Sequence, residues 1–405
     1  MYGKKNGRNH GRRQVSIQLK HGGWTELEVS YRLPGKDSKK QRRGRKRKVG
    51  KRGKKGVGYY PALRHLGVLA AASPALGEDV TLGCLANTFA EAVATAARGG
   101  VDISEKRIRR ISHNLNQTAL RLRERRVEVC KPPRPDQSPW AGKRIAVLLD
   151  GGRIQIRTNR SGRRTASGTR CYDAAWREPK LYVIYEFDEN GRKVKKAPSC
   201  CDGTIGGPDD IVRLLVADLK RHGAGQAARV VFLGDGALWI WNRIEQIAAD
   251  AGIPSGKVSK YLDFYHAAEH LGQVADAMVF SSQKKRSKWF RHMKTLLKTV
   301  TPQQFLAELS KSRRRGNATI RREYQYFAKN QAAIDYRKAI KLHIPIGSGA
   351  VESAIRRVVN LRLKGAGMFW LKENAEGFLH LRCQLKSNNW NKFYEMVLEE
   401  YAAGY

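Results

Sequence analysis

The sequence predicts a mixed α/β fold: three antiparallel strands, then strands that alternate with helices, preceded by a helical region and a basic arm. Three observations predict it. Apolar runs of strand length, closed by Asp-Gly or Asn-Gly, cluster between residues 145 and 191. Beyond them, two further short apolar runs alternate with segments of helical period. Prolines at 132, 133, 135 and 139 separate this block from an N-terminal part whose apolar residues recur every three or four positions.

The chain has 405 residues, with 78 Lys+Arg against 36 Asp+Glu, a formal net charge of +42. At roughly 100–200 residues per domain, that length predicts two or three domains. A composition 41 % hydrophobic and 28 % charged argues against wholesale disorder. No apolar stretch approaches the roughly 18 residues of a membrane span, and the polar, basic start is unlike a secretory leader. A cytoplasmic, nucleoid-associated protein with no membrane partner is therefore expected. Cys84, Cys130, Cys171, Cys200, Cys201 and Cys383 show no CxxC spacing, so neither a zinc ribbon nor a disulfide framework is indicated. A charge of +42 calls for a polyanion, and nucleic acid is the leading one, because neutralising phosphates releases counterions.

Taken in order, residues 1–60 hold 20 Lys+Arg and only Glu26, Glu28 and Asp37 as acids. Residues 15–19 and 24–33 alternate around His21-Gly22-Gly23, as a β-hairpin does. Residues 36–55 are nearly all Lys, Arg or Gly and read as a disordered arm on a phosphate backbone, with Arg45 and Arg47 as contacts. Leu82, Leu85, Phe89, Val93 and Ala96 predict one helix, and Ile108, Ile111, Leu115, Ala119 and Leu122 a second. The pair is either a packed helical hairpin or a DNA-reading helix-turn-helix.

Residues 145–149 form the first strand, ending at Asp150-Gly151-Gly152, with an alternating continuation over 154–157. Residues 181–187 form the second, closed by Asn190-Gly191, and a short basic third strand is expected from Arg192. Pro208-Asp209-Asp210 opens a helix. Residues 230–233 form the fourth strand, ending at Asp235, residues 238–251 a helix, and residues 261–265 the fifth strand, with His266 just past it. This is the element order of the ribonuclease-H-like fold. Its first and fourth strands are neighbours, so Asp150 and Asp235 at their ends converge as metal ligands. The third acid is expected from a later helix, and Glu352 follows Gly347-Ser348-Gly349, in a first turn where the helix dipole favours a carboxylate. Residues 272–342 hold 17 Lys+Arg against four acids at helical spacing, a basic helical insertion suited to clamping DNA.

The chain thus divides into 1–60, a hairpin and basic arm; 61–130, helical and a possible DNA-binding region; 141–266, the first part of the core; 267–345, the helical insertion; and 346–405, the last part of the core with C-terminal helices. Arg356 and Lys364 fall near the face of Glu352 if its helix runs unbroken. Beyond it, Trp370 either stacks on an unpaired base or packs the helix onto the sheet.

Five segments together carry a family resemblance: 148–153 (Leu-Leu-Asp-Gly-Gly-Arg), 176–180 (Trp-Arg-Glu-Pro-Lys), 234–237 (Gly-Asp-Gly-Ala), 263–266 (Asp-Phe-Tyr-His) and 347–353 (Gly-Ser-Gly-Ala-Val-Glu-Ser). Over most of its length the chain resembles a bacterial insertion-sequence DDE transposase of the Kra type, distantly related to Mutator-like transposases. The resemblance implies a triad of Asp150, Asp235 and Glu352. It also implies that Asp263 and His266 form an Asp-x-x-His signature, with the histidine near the reacting phosphate. The N-terminal cysteine motif of such relatives is missing here. Carboxylates suit Mg²⁺ or Mn²⁺, and two such ions activate water on one side of a phosphate and stabilise the leaving oxygen on the other. The expected function is cleavage of DNA at element ends and joining of the 3′ ends to target DNA. Double-stranded DNA is the expected partner, bound by a homo-oligomer, with Arg153, Arg356, Lys364, Trp370, Arg45 and Arg47 as contacts. The alternative is a catalytically inactive DNA-binding protein derived from a transposase.

Overall fold

A computed structural model of the chain describes residues 8–33, 58–197, 199–312 and 317–404. Two compact units emerge: residues up to Arg123 with Asn389–Tyr405, and Glu124–Asn388. The segment 346–405, expected as one piece, is therefore shared between the units. The arm at 36–55, with Arg45 and Arg47, lies outside the described residues.

In the first unit, β1 (Arg8–Gln18) and β2 (Trp24–Leu33) pair antiparallel with Ile17 opposite Thr25. Alternation turns Ile17 and Val29 inward, where they meet Leu63, from α1 (Pro61–His65), and Val68. The helix expected from residues 82 to 96 is instead two, α2 (Pro74–Ala86) and α3 (Phe89–Arg98). Thr88 breaks the run: its hydroxyl accepts from the Glu91 amide at 3.2 Å while the Glu91 carboxylate accepts from the Thr88 amide at 2.8 Å. This capping box starts a helix at the cost of the preceding one. α4 (Glu105–Glu128) buries Ile108, Ile111, Leu115, Ala119 and Leu122 as its spacing predicts, and the C-terminal helix Trp390–Ala403 completes the unit.

The second unit holds seven strands, five of them in its main sheet: first come β3 (Arg144–Gly151), a side hairpin of β4 (Ile154–Arg157) and β5 (Ala174–Arg177), then β6 (Lys180–Glu186) and β7 (Cys200–Thr204). After α5 (Pro208–Arg221) come β8 (Arg229–Gly234), α6 (Leu238–Trp241), α7 (Ile244–Asp250) and β9 (Val258–Leu262). The main sheet has the order β7-β6-β3-β8-β9, antiparallel across β7, β6 and β3 and parallel across β3, β8 and β9. The third sheet strand is Cys200–Thr204, not a run from Arg192; Asp188 accepts from the Asn190 and Arg192 amides at 2.9 and 2.8 Å and turns the chain there. One face of the sheet, with Ile145, Val147 and Leu149, packs on Ile211, Leu215, Ile244 and Ile247 of α5 and α7.

A helical block follows: α8 (Phe264–Ala277), α9 (Gln283–Thr299), α10 (Pro302–Ser310), α11 (Ala318–Lys329) and α12 (Tyr336–Lys341), around Leu271, Phe305 and Phe327. The chain returns to the sheet through α13 (Gly349–Ala354), a π-helical turn (Ile355–Asn360) and α14 (Lys372–Lys386). α13 packs on β3 and β6, and α14 on β7. Among the described residues no helix is long and apolar enough to cross a membrane.

Candidate active site

Leu148 lies beside Leu233 in the parallel β3–β8 ladder, so continuing that register sets Asp150 level with Asp235. Period-two alternation turns Asp150 away from the core of Ile145, Val147 and Leu149. That other face is the one α13 covers, carrying Glu352. Asp150 is half-buried, and its pKa rises from 3.8 to about 6. Burial is the main cause, joined by the charges of Asp235, Glu352 and Glu178 and opposed by the Gly151 amide, which donates to Asp150 Oδ1 at 2.7 Å. The three candidate acids are thus within electrostatic reach. Their carboxylate oxygens do not all come within 4.8 Å of one another.

Asp235 folds its own turn: its Oδ1 accepts from the Ala237 amide at 2.9 Å. Gly236 between them has φ +86°, and a Cβ there would meet Leu262 at 2.7 Å and Trp241 at 2.9 Å, so glycine is required. Glu352 is exposed and held by Ser348, whose hydroxyl donates to Glu352 Oε1 at 2.8 Å. Ser348 is itself fixed by Asp263. That carboxylate, 2 % exposed, accepts from the Ser348 amide, from Tyr265 at 2.5 Å and from His266 at 2.8 Å. The Asp263 amide donates to Gly234 at 2.8 Å. Asp263 is therefore a bracket joining the end of β8, the start of α8 and the loop that launches Glu352.

His266 is half-buried, with Nε2 3.3 Å from His270 Nε2. His270 Nδ1 lies 2.5 Å from Glu323, a 1 %-exposed carboxylate of α11 that also accepts from Arg322 Nε at 2.7 Å. That carboxylate accepts from His270 Nδ1 and fixes the ring, which sets its Nε2 against His266. Tyr326, also from α11, stacks on His270 at 3.7 Å and donates its hydroxyl to the Asp235 carbonyl at 3.2 Å. The helical block thus braces both Asp235 and His266, a connection invisible in sequence spacing.

Glu178 is a fourth carboxylate, and sequence reasoning assigned it no role. It lies so close to Gly151 that a Cβ there would sit 2.3 Å from its Oε1, and it pairs with the mostly buried Lys180 at 2.8 Å. The Trp176-to-Lys180 motif was its only signal. Arg153 is exposed, stacked over Trp176 at 4.8 Å, and Arg356 is exposed one turn beyond Glu352.

Two expectations are corrected. The helix after Glu352 does not run unbroken to Lys364. The Leu361 amide reaches back five residues to Arg356 at 3.0 Å, because Arg382 captures the carbonyls of Arg357 and Val358. Lys364 is exposed but lies past the helix, so helical period does not align it with Glu352. Trp370 is 7 % exposed, donates Nε1 to the Leu363 carbonyl at 3.0 Å and packs on Phe378 at 5.0 Å. It belongs to the core and has no face to offer a base.

Among the described residues, the one set of three potential ligand atoms within 4.8 Å of one another is Cys200, Asp218 and His222. Its donors are already engaged. Tyr182 and Cys200 donate to Asp218 Oδ2 at 2.6 and 2.8 Å, and Arg221 to Oδ1. Burial opposes ionisation of Asp218, but Arg221, His222 and these hydrogen bonds outweigh it and bring the pKa down to about 2. Burial and that charge hold Cys200 a thiol. The cluster is a satisfied internal network. No protein-family model, curated protein or solved structure matches this chain.

Proposed function

We propose that the chain is a ribonuclease-H-like DDE transposase that cleaves DNA at insertion-sequence ends and joins the 3′ ends to target DNA. The observation that carries this is the placement of Asp150 and Asp235 at adjacent ends of parallel β3 and β8, with the charge of Glu352 raising the Asp150 pKa. The sheet order, with β6 antiparallel between β7 and β3, supports the same fold family.

The residues fit a divalent cation. Each supplies a hard oxygen donor, and their mutual repulsion at Asp150 is what an added Mg²⁺ or Mn²⁺ would relieve. Asp150, Asp235 and Glu352 would hold it. When bound, a pair of such ions supplies Lewis-acid activation of water and stabilisation of the leaving 3′-oxygen. The protein's own groups set the geometry. The β3–β8 ladder fixes two carboxylates, Asp263 and Ser348 hold the third, and the Glu323–His270 pair braces the His266 ring beside them. In the joining step the freed 3′-hydroxyl replaces water, and no covalent protein–DNA bond is required.

The test is Mg²⁺-dependent cleavage of duplex DNA carrying the native element ends, with Asp235→Asn as control. Cleavage by the parent and none by the variant, at similar DNA affinity, is expected. Cleavage that survives the substitution overturns the assignment. DNA binding without cleavage by either protein favours the inactive DNA-binding alternative.

A further inference from the structure

Between β3, which carries Asp150, and β6, the chain leaves the main sheet as a long side hairpin. Its ladder continues past β4 and β5 toward the tip. Thr158 donates to Asp173 at 2.8 Å, Gly162 to Cys171 at 3.1 Å, Cys171 to Arg163 at 2.8 Å and Thr165 to Thr169 at 2.7 Å. Residues 152–177 contain seven arginines, no lysine and one acid, Asp173. Among the described residues none of the seven is paired with a carboxylate within 4 Å.

Three of the seven guanidinium groups are nevertheless held by aromatic rings. Arg157 and Arg160 lie over Tyr172, each at 5.2 Å, and Arg153 over Trp176 at 4.8 Å. Such stacking limits their rotamer freedom while leaving hydrogen-bond donors available. The base of the ribbon is anchored in the core: Arg157 donates its amide to the Trp370 carbonyl at 2.8 Å, and the Trp370 amide donates to Gln155 at 3.0 Å. Both roots of the hairpin touch the candidate site. One leaves through Gly151-Gly152 directly after Asp150, and the other returns at Glu178, whose carboxylate lies against Gly151.

We propose that this arginine ribbon is a second, folded phosphate clamp that grips duplex DNA beside Asp150, separate from the basic arm at 36–55. The inference deepens the transposase proposal and rests on it for the choice of DNA. A merely solvated ribbon is served equally well by lysine and has no use for aromatic supports. Uncompensated arginines suit bidentate contact with phosphate oxygens.

The test uses the full chain with Arg163, Arg164 and Arg170 replaced together by Gln, and in a second variant by Lys. Duplex DNA affinity is measured by fluorescence anisotropy between 50 and 200 mM KCl. All three side chains are exposed, so both variants should melt at the parent's temperature. The Gln variant should bind at least about tenfold more weakly near 0.1 M salt, with a log K against log salt slope shallower by about 2–3, because roughly 0.9 counterion is lost per phosphate contact. The Lys variant should keep the parent's slope. A Gln variant with the parent's slope and affinity overturns the clamp while leaving Asp235-dependent cleavage intact. Loss of slope in the Gln variant, with a parent that never cleaves DNA, keeps the clamp and overturns the transposase proposal. Tighter binding of duplex RNA than duplex DNA, with the same loss of slope, overturns the assignment to DNA.

Discussion

Asp150→Asn should stabilise the protein at neutral pH and not at acid pH. The Asp150 pKa is about 6 in the folded chain against an ordinary 3.8, a difference of about 2 units. At about 1.36 kcal/mol per unit, ionising this group costs the folded state at most about 3 kcal/mol. The sign follows from proton counts. Between about pH 4 and 6 the folded state keeps a proton that the unfolded state has released, so stability falls as pH rises through that window and stays reduced above it. Below pH 4 both states are protonated and the cost vanishes. Asparagine keeps an oxygen for the Gly151 amide, now 2.7 Å from Oδ1, without the charge. Thermal denaturation of parent and variant from pH 4 to 8 should therefore show curves that coincide near pH 4 and separate by roughly 6–12 °C above pH 6, at about 2–4 °C per kcal/mol. Added Mg²⁺ should narrow the gap by stabilising the parent alone, and Glu178→Gln, which removes one repelling charge, should narrow it too. A difference independent of pH, or a variant less stable than the parent at pH 7, would refute the carboxylate cluster around Asp150.

Two further outcomes follow from packing. Trp370→Ala empties a core site between Phe378 and Leu363 and should destabilise by about 3–5 kcal/mol, read as a lower urea midpoint, with pre-unpaired DNA ends giving no rescue; full stability would return Trp370 to the DNA-facing set. Asp263→Asn keeps an oxygen for Tyr265 and His266 but sets an amide donor against the Ser348 N–H, which should cost about 1.5–3 kcal/mol and free Glu352. In that variant the Asp150 carboxyl, followed by ¹³C NMR, should titrate lower because the Glu352 charge is further away; an unmoved Asp150 would mean that Ser348 holds Glu352 without help.

The positions legible in the sequence are those where a local pattern states a strand end. Continuous apolar runs closing on Asp150-Gly151 and Gly234-Asp235-Gly236 mark two parallel neighbours without any long-range information. β7 was not legible because Cys-Cys-Asp-Gly-Thr lacks alternation, and its strand state comes from pairing with β6. Trp370 was misplaced for a similar reason. Its partner Gln155 is more than two hundred residues away, and the bridge between them turns an apparently free aromatic into core. Arg382 lies 24 residues beyond Val358, well outside the turn it distorts, so the π-helical break after Glu352 has no local signal. Glu178 reaches Asp150 only through the register that sets Gly151 opposite Lys180. The arginine ribbon looks like polar linker because its stiffness comes from backbone ladder bonds and from stacking on Tyr172, neither of which has a hydrophobic period.

The three candidate acids are not held with equal rigidity, and this bears on why their oxygens do not all fall within 4.8 Å. Asp150 and Asp235 end strands bonded to each other and flanked by further strands, so neither moves without breaking the sheet. Glu352 stands on a six-residue helix whose continuation is a π-helical turn, and its carboxylate is tied down by one serine hydroxyl. A π-turn stacks its residues less regularly than an α-helix and is a common device where local adjustment is needed. The easiest adjustment among the three is therefore on the Glu352 side, by rotation of one exposed side chain away from Ser348, because the ladder bonds restrain the sheet pair. Asp263 limits that adjustment to the side chain. Its grip on the Ser348 amide keeps the helix start fixed against β8, so the third carboxylate swings from a stationary base.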